Sequence, residues 1–273
     1  MSVIINNHSH HDGNAFSNTK KPLLEVQDLS MHFGGLLAVD GITFNVNERE
    51  IFAIIGPNGA GKTTVFNCIS GFYKPTMGTI ELGGIPIEGK PSYVINQKGL
   101  TRTFQNIRLF KKLTVLENLM IAQHNYLDTG FFSGLLGLKS VRHKEKKALE
   151  NAEKWLDRVG LLAFIYREAG ALAYGQQRLL EIIRCMVTGP KILLLDEPAA
   201  GLNPQETSAL AYLIKELRDQ YNLSILLIEH DMSLVMEISE NILVMEYGRL
   251  LATGAPQDIR ENKRVIKAYL GEE

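Results

Sequence analysis

The run Gly56-Pro57-Asn58-Gly59-Ala60-Gly61-Lys62-Thr63 fits the spacing GxxxxGK(S/T), which suits the cradling of a polyphosphate. Glycines let the main chain bend closely round phosphates, and their N–H groups join a following helix N-terminus in facing negative charge. Lys62 is then placed to contact the β- and γ-phosphates, Thr63 to ligate Mg²⁺ through its hydroxyl, and Thr64 to bond neighbouring phosphate or backbone. A second group is Asp196-Glu197, which ends the apolar run Ile192-Leu193-Leu194-Leu195. Asp196 is expected to hold Mg²⁺ through water, and Glu197 to orient or deprotonate the water that attacks the γ-phosphate. His230, after Ile228 and Glu229, is a third candidate, able to bridge the γ-phosphate and that water. The bland alternatives are a Gly-rich turn with an exposed lysine, a polar loop start and a structural histidine.

These groups need rigid supports. The runs Ile51 to Ile55, Ile192 to Leu195 and Ile225 to Ile228 are apolar throughout, as strands are when helices cover both faces of a parallel sheet. The phosphate loop follows the first run, and the two carboxylates emerge at the carboxyl end of the second, where open α/β sheets bind ligands. Strand-like patterns also begin near Pro22, with Leu23, Leu24 and Val26, and return at Phe44 and Val46. One helix is expected to follow Gly61 and stop at Gly71, another to run from about Gln176 to Val187 before Gly189 and Pro190. Between them, Thr114 and Glu117 have capping-box spacing for a helix through Leu119 and Ile121. Phe131 to Leu138 reads as a Gly-rich apolar loop. A further helix carries Ala148, Ala152, Trp155, Leu156 and Val159 on one face, with Lys144, Lys146 and Lys147 at its wet start. The expected organisation is a disordered polar tail over 1–21, an α/β domain over 22–257 with a helical insertion at about 112–175, and a C-terminal helix over 258–273.

Composition narrows the partners. The net charge of -1 gives no bulk positive field for a nucleic acid. Cys68 and Cys185 are the only cysteines in 273 residues, too few for a disulfide framework, which favours a reducing compartment. The longest apolar stretches fall far short of the ~20 residues a spanning helix requires, so any membrane connection is expected through a partner. The first twenty residues lack a basic-to-apolar leader, and His8, His10 and His11 read as part of the tail rather than as a metal site.

Taken in order, the phosphate loop, Gln105, Leu172-Ala173-Tyr174-Gly175-Gln176, Asp196-Glu197 and His230 resemble the ATPase domain of the ABC superfamily, from Leu23 through Leu270. The resemblance implies a P-loop NTPase core with an inserted helical subdomain and an N-terminal β-rich part, taking ATP and Mg²⁺. It implies an ATP site formed by Phe33, stacked on adenine, with Gly56, Pro57, Asn58, Gly59, Ala60, Gly61, Lys62, Thr63, Thr64 and Gln105. Mg²⁺ would be held by Thr63, Gln105 and Asp196, and catalysis carried by Glu197, His230 and Lys62. Gln105 would sit on a loop touching both Mg²⁺ and the membrane partner. Leu172 to Gln176 would be the signature that closes over ATP held by a second subunit. That segment usually reads LSGGQ; here Ala173 and Tyr174 stand at its second and third positions, removing a serine hydroxyl, and Asn203 stands where aspartate is frequent. These departures lead to the expectation that the two sites of a heterodimer are unequal.

Phe33-Gly34-Gly35-Leu36, Arg102-Thr103-Phe104-Gln105-Asn106, Asp196 through Pro204 and Val265 through Gly271 narrow the likeness. They resemble ATP-binding subunits of bacterial high-affinity branched-chain amino acid importers. That resemblance implies a second ABC ATPase subunit, two transmembrane permease subunits and, indirectly, an extracytoplasmic binding protein. It places the chain peripherally at the cytoplasmic face of the inner membrane. An amide importer, a lipopolysaccharide exporter, a soluble ABC ATPase and a small-molecule kinase are the competing readings. The kinase alone does not call for Gln105, the signature and His230.

Overall fold

The computed structural model describes residues 22–123 and 139–270. The tail expected over 1–21, with its histidines, and the loop expected from Phe131 to Leu138 lie outside these residues.

The first strands, β1 (Pro22–Phe33) and β2 (Leu36–Asn47), form a hairpin in which Leu24 faces Val46 and Val26 faces Phe44. The two pieces of sequence pattern are therefore partners. With β4 (Met77–Leu82) and β5 (Ile85–Pro86) they make an antiparallel sheet ordered β2-β1-β4-β5.

The central sheet is built on β3 (Ile51–Ile55), β7 (Ile192–Asp196) and β8 (Ser224–Ile228), every residue of which is buried. Side chains alternate between two cores along each strand. Ile51, Ala53 and Ile55 join the core under the helices, while Phe52 and Ile54 join the core shared with the antiparallel sheet. Water reaches neither face, which is why these strands are apolar except at the ends marked by Asp196 and Ser224. Three more strands complete the order β10-β9-β3-β8-β7-β6: β6 (Leu100–Arg102), β9 (Asn241–Glu246) and β10 (Arg249–Gly254). All neighbours are parallel except β9 and β10.

Nine α-helices lie among the described residues. Helix α1 (Lys62–Ile69) follows the phosphate loop, and α2 (Ser92–Gln97) precedes β6. The helical insertion contains α3 (Val115–Gln123) and α4 (Lys139–Arg158). The Glu117 carboxylate accepts from the Thr114 N–H at 2.7 Å while Thr114 Oγ1 accepts from the Glu117 N–H at 3.1 Å, so the expected capping box forms. Ala148, Ala152, Trp155 and Leu156 are buried. Helix α5 (Tyr174–Met186) begins two residues before the expected Gln176, because the Gln176 side chain accepts from the Ala173 N–H at 3.1 Å and closes an earlier first turn. Helices α6 (Pro204–Tyr221) and α7 (Met232–Ile238) follow β7 and β8.

The single helix expected over 258–273 is instead two, α8 (Pro256–Glu261) and α9 (Lys263–Leu270). Asn262 is extended, with φ -74° and ψ 111°, and its side chain accepts from the N–H groups of Arg264 and Val265. It ends one helix and caps the next.

Candidate nucleotide site

The loop between β3 and α1 is shaped by steric necessity. Gly56 has φ 147°, and a Cβ there would lie 2.1 Å from the Met245 carbonyl oxygen; at Gly61, with φ 95°, one would lie 2.5 Å from that of Ala38. Only glycine lets the chain pass so close to β9 and β2. No side chain caps α1, so its first N–H groups remain available to an anion. The Lys62 ammonium curls back to donate to the carbonyls of Gly56 at 2.7 Å and Pro57 at 3.0 Å. Burial pushes its pKa down, against the opposing pull of the Glu197 and Asp196 carboxylates.

A cavity of about 510 Å³ opens over this loop. Asn58 to Thr64 line it, together with Gln105, Glu197, Leu36, Leu37 and Tyr247. Phe33 is not part of the lining; its ring meets Tyr73 edge-on with centroids 5.3 Å apart, at the end of the hairpin that carries Leu36. Tyr247 belongs to a turn anchored on the loop, since the Gly248 N–H donates to the Ala60 carbonyl at 3.1 Å.

The catalytic candidates converge. Gln105 Nε2 donates to Glu197 Oε2 at 2.8 Å, and His230 Nδ1 lies 3.8 Å from the same oxygen. Glu197 sits at φ 46°, a left-handed conformation that costs a non-glycine residue roughly 1–2 kcal/mol and that its N–H bond to the Ile228 carbonyl helps to hold. Asp196 is buried, and Arg102 donates to its Oδ2 at 2.6 Å. Arg102 also donates to Asn67 and Ser70, and its guanidinium lies 5.2 Å from the Phe104 ring centroid and 5.3 Å from that of Phe66. Burial lowers the Arg102 pKa and the Asp196 hydrogen bond opposes that shift.

These donors suit Mg²⁺ brought in on a nucleotide. Among the described residues no cluster of three or more His, Cys, Asp or Glu is placed to hold a metal unaided. Mg²⁺ ordinarily takes one or two carboxylates and completes its shell with phosphates and water, a set that Asp196 and the Thr63 hydroxyl fit.

The segment Leu172 to Gln176 is not brought to the cavity of its own chain. Tyr174 is exposed and lies against Gly201, where an added Cβ would come within 3.0 Å of its ring. Asn203 caps α6, accepting from the Glu206 N–H at 3.0 Å and donating its own N–H to the Glu206 carboxylate at 2.9 Å. The departure from aspartate thus sits in a capping box.

Sequence reasoning missed four charged groups around the site: Arg102, Arg178, Glu181 and Glu229. The Glu229 carboxylate is fully buried and accepts from the N–H groups of Ala199, His230 and Asp231. Burial raises its pKa, and those N–H bonds oppose the rise. Charged residues inside apolar runs, as Arg178 and Glu181 are among Leu179, Leu180, Ile182 and Ile183, were the available signal.

A strained carboxylate beside a glycine-built phosphate loop, on a parallel sheet with a helical insertion, defines an ATP-hydrolysing P-loop domain. The ABC transporter family profile matches residues 39–200, more than half of the chain, and the chain belongs to that family. A second profile, of branched-chain amino acid ATP-binding cassette transporters, matches residues 249–273. The chain is 57% identical over 252 residues to the high-affinity branched-chain amino acid transport ATP-binding protein BraF of Pseudomonas aeruginosa, covering 92% of this chain and 99% of that protein. It is 58% identical over 252 residues to LivG of Escherichia coli K12, with the same coverage. The crystal structure of the ATP-binding cassette MJ1267 in its ADP conformation superposes with a TM-score of 0.81 at 32% identity, covering 93% of this chain and all of that one.

Proposed function

We propose that the chain powers uptake of leucine, isoleucine and valine as one of two unlike ATPase subunits on a pair of permease subunits fed by an extracytoplasmic binding protein. The observation that carries the ATPase half of this reading is the Gln105–Glu197–His230 convergence over the phosphate loop. The identity of about three residues in five to BraF and LivG supports the cargo.

In this reading the phosphate-loop N–H groups and Lys62 bind the triphosphate, with Lys62 exchanging the Gly56 and Pro57 carbonyls for phosphate oxygens. Thr63 and Asp196 would hold Mg²⁺, with Gln105 alongside, where the ion would neutralise charge developing on the phosphates. Arg102 fixes the Asp196 carboxylate. Glu197, steadied by Gln105, orients water for attack, and His230 sits beside it to bond the γ-phosphate. Leu172 to Gln176 serves the nucleotide of the second subunit, and the missing serine hydroxyl makes the two sites unequal. Phe33 supports the adenine from the rim of the hairpin.

No helix among the described residues is long and apolar enough to cross a membrane, so the permease contact must lie on a surface. A cavity of about 360 Å³ lined by Phe72, Tyr93, Phe104, Arg102 and Arg184 fits a protruding permease segment, and it adjoins Gln105 through Phe104. This reading puts the chain peripherally at the cytoplasmic face of the inner membrane. Gentle membrane extraction with the chain as bait tests it: a second ATPase and two permease subunits should copurify, and the assembly should take up leucine in an ATP-dependent way. Recovery with exporter subunits, or alone, would reverse the assignment.

A further inference from the structure

Gln105 can steady Glu197 only if the backbone that carries it is fixed. The loop after β6 has no ladder at that point and is held instead by two side chains from α5. Arg178, fully buried, donates to the carbonyl of Phe104 at 2.8 Å and to that of Gln105 at 2.9 Å. Its partner Glu181, 2.9 Å away and also fully buried, accepts from the Arg108 N–H at 3.0 Å. One ion pair thus grips both ends of the segment 104–108. The same guanidinium reaches the Tyr174 hydroxyl at 3.4 Å, at the first turn of α5 and in the signature. From Gln105 the path continues to Glu197 through the 2.8 Å side-chain bond.

We propose that Arg178 and Glu181 are positioning residues: a buried clasp that ties the signature end of α5 to Gln105 and so sets the orientation of Glu197. It rests on the functional reading above. In a dimer whose signature meets the partner's nucleotide, the clasp makes each subunit's catalytic carboxylate sensitive to what its own signature touches. Neither clasp residue lines the nucleotide cavity, so losing the clasp should spare binding and slow the chemical step.

The test uses the full chain assembled with its copurified partners. Replacing both members by apolar residues of similar size, Arg178→Met with Glu181→Leu, avoids stranding a buried charge. The expected result is a near-native melting temperature, a KM for ATP within about threefold of wild type, and a kcat lowered at least about tenfold. A folded double variant with wild-type kcat overturns the clasp. Should the double variant not fold, Arg178→Lys decides, because lysine keeps the charge but lacks the planar fork needed for two carbonyls and Glu181 at once. An intermediate kcat at unchanged KM supports the clasp, and full activity overturns it. Wild-type protein that binds no ATP would overturn the functional reading and the clasp together, whereas wild-type kcat in the folded variant removes the clasp alone.

Discussion

The two charges that matter most at the site, Lys62 and Glu197, are both held by bonds that nucleotide must rearrange or use. This separates their roles experimentally. Lys62→Ala removes a charge aimed at phosphate and should abolish ATP binding or turnover, read by equilibrium binding and by phosphate release. Glu197→Gln keeps shape and polarity but loses basicity, so it should bind ATP normally and lower kcat by about 10²-fold or more. Wild-type turnover in either variant would remove that residue's assignment. Both residues were legible because their spacing is local: one pattern of eight residues and one strand end. Arg102 was not, since its partner Asp196 is 94 positions away and nothing nearby in the chain marks the pairing. Phe33 lies outside the cavity lining with its ring edge-on to Tyr73, and only the family resemblance, not local spacing, marks it for adenine.

At the scale of elements, the buried strands were readable because parallel strands with two covered faces take polar residues only at their ends, as at Asp196 and Ser224. Strand β6, with three residues, and the mixed β10 did not stand apart from loop sequence, whereas β9 was passed over although Ile242 to Met245 is apolar throughout. The start of α3 was placed by a side-chain signal, the Thr114–Glu117 box, whereas the caps Asn203 and Asp231 that start α6 and α7 were not read. The Thr114–Glu117 box carries a pH-dependent consequence. The N–H of Thr114, and then its hydroxyl, hold the Glu117 carboxylate below its ordinary pKa. A depressed carboxylate contributes stability that is present above its unfolded-state pKa and lost as pH falls through the lower folded value. Glu117→Ala should therefore melt below wild type at neutral pH, with the gap narrowing as acid protonates the wild-type side chain. A gap that stays constant down to the start of acid unfolding would show that the carboxylate's charge contributes nothing there.

At the scale of the whole molecule, the groove beside β6 is bordered by exposed aromatics: Tyr93 is 64% accessible and Phe72 47%. Buried aromatic anchors dominate many interfaces, and losing one commonly costs about 2 kcal/mol or more, over tenfold in affinity. Tyr93→Glu should leave folding and ATP affinity unchanged while reducing recovery with permease subunits at least about tenfold. Undiminished recovery would move the docking surface elsewhere.

The position of β3 has one more consequence. It carries the phosphate loop, yet its two neighbours in the sheet are β8 and β9, which pair it at Ile225–Ile228 and Asn241–Val244. Pairings so distant along the chain close slowly, because a large loop must be ordered before any contact repays it. A nascent polypeptide on the ribosome thus completes its GxxxxGK segment early but cannot mould it for nucleotide until nearly the last strand has emerged. Throughout that interval the apolar side chains of β3 lack the strands that flank them in the fold.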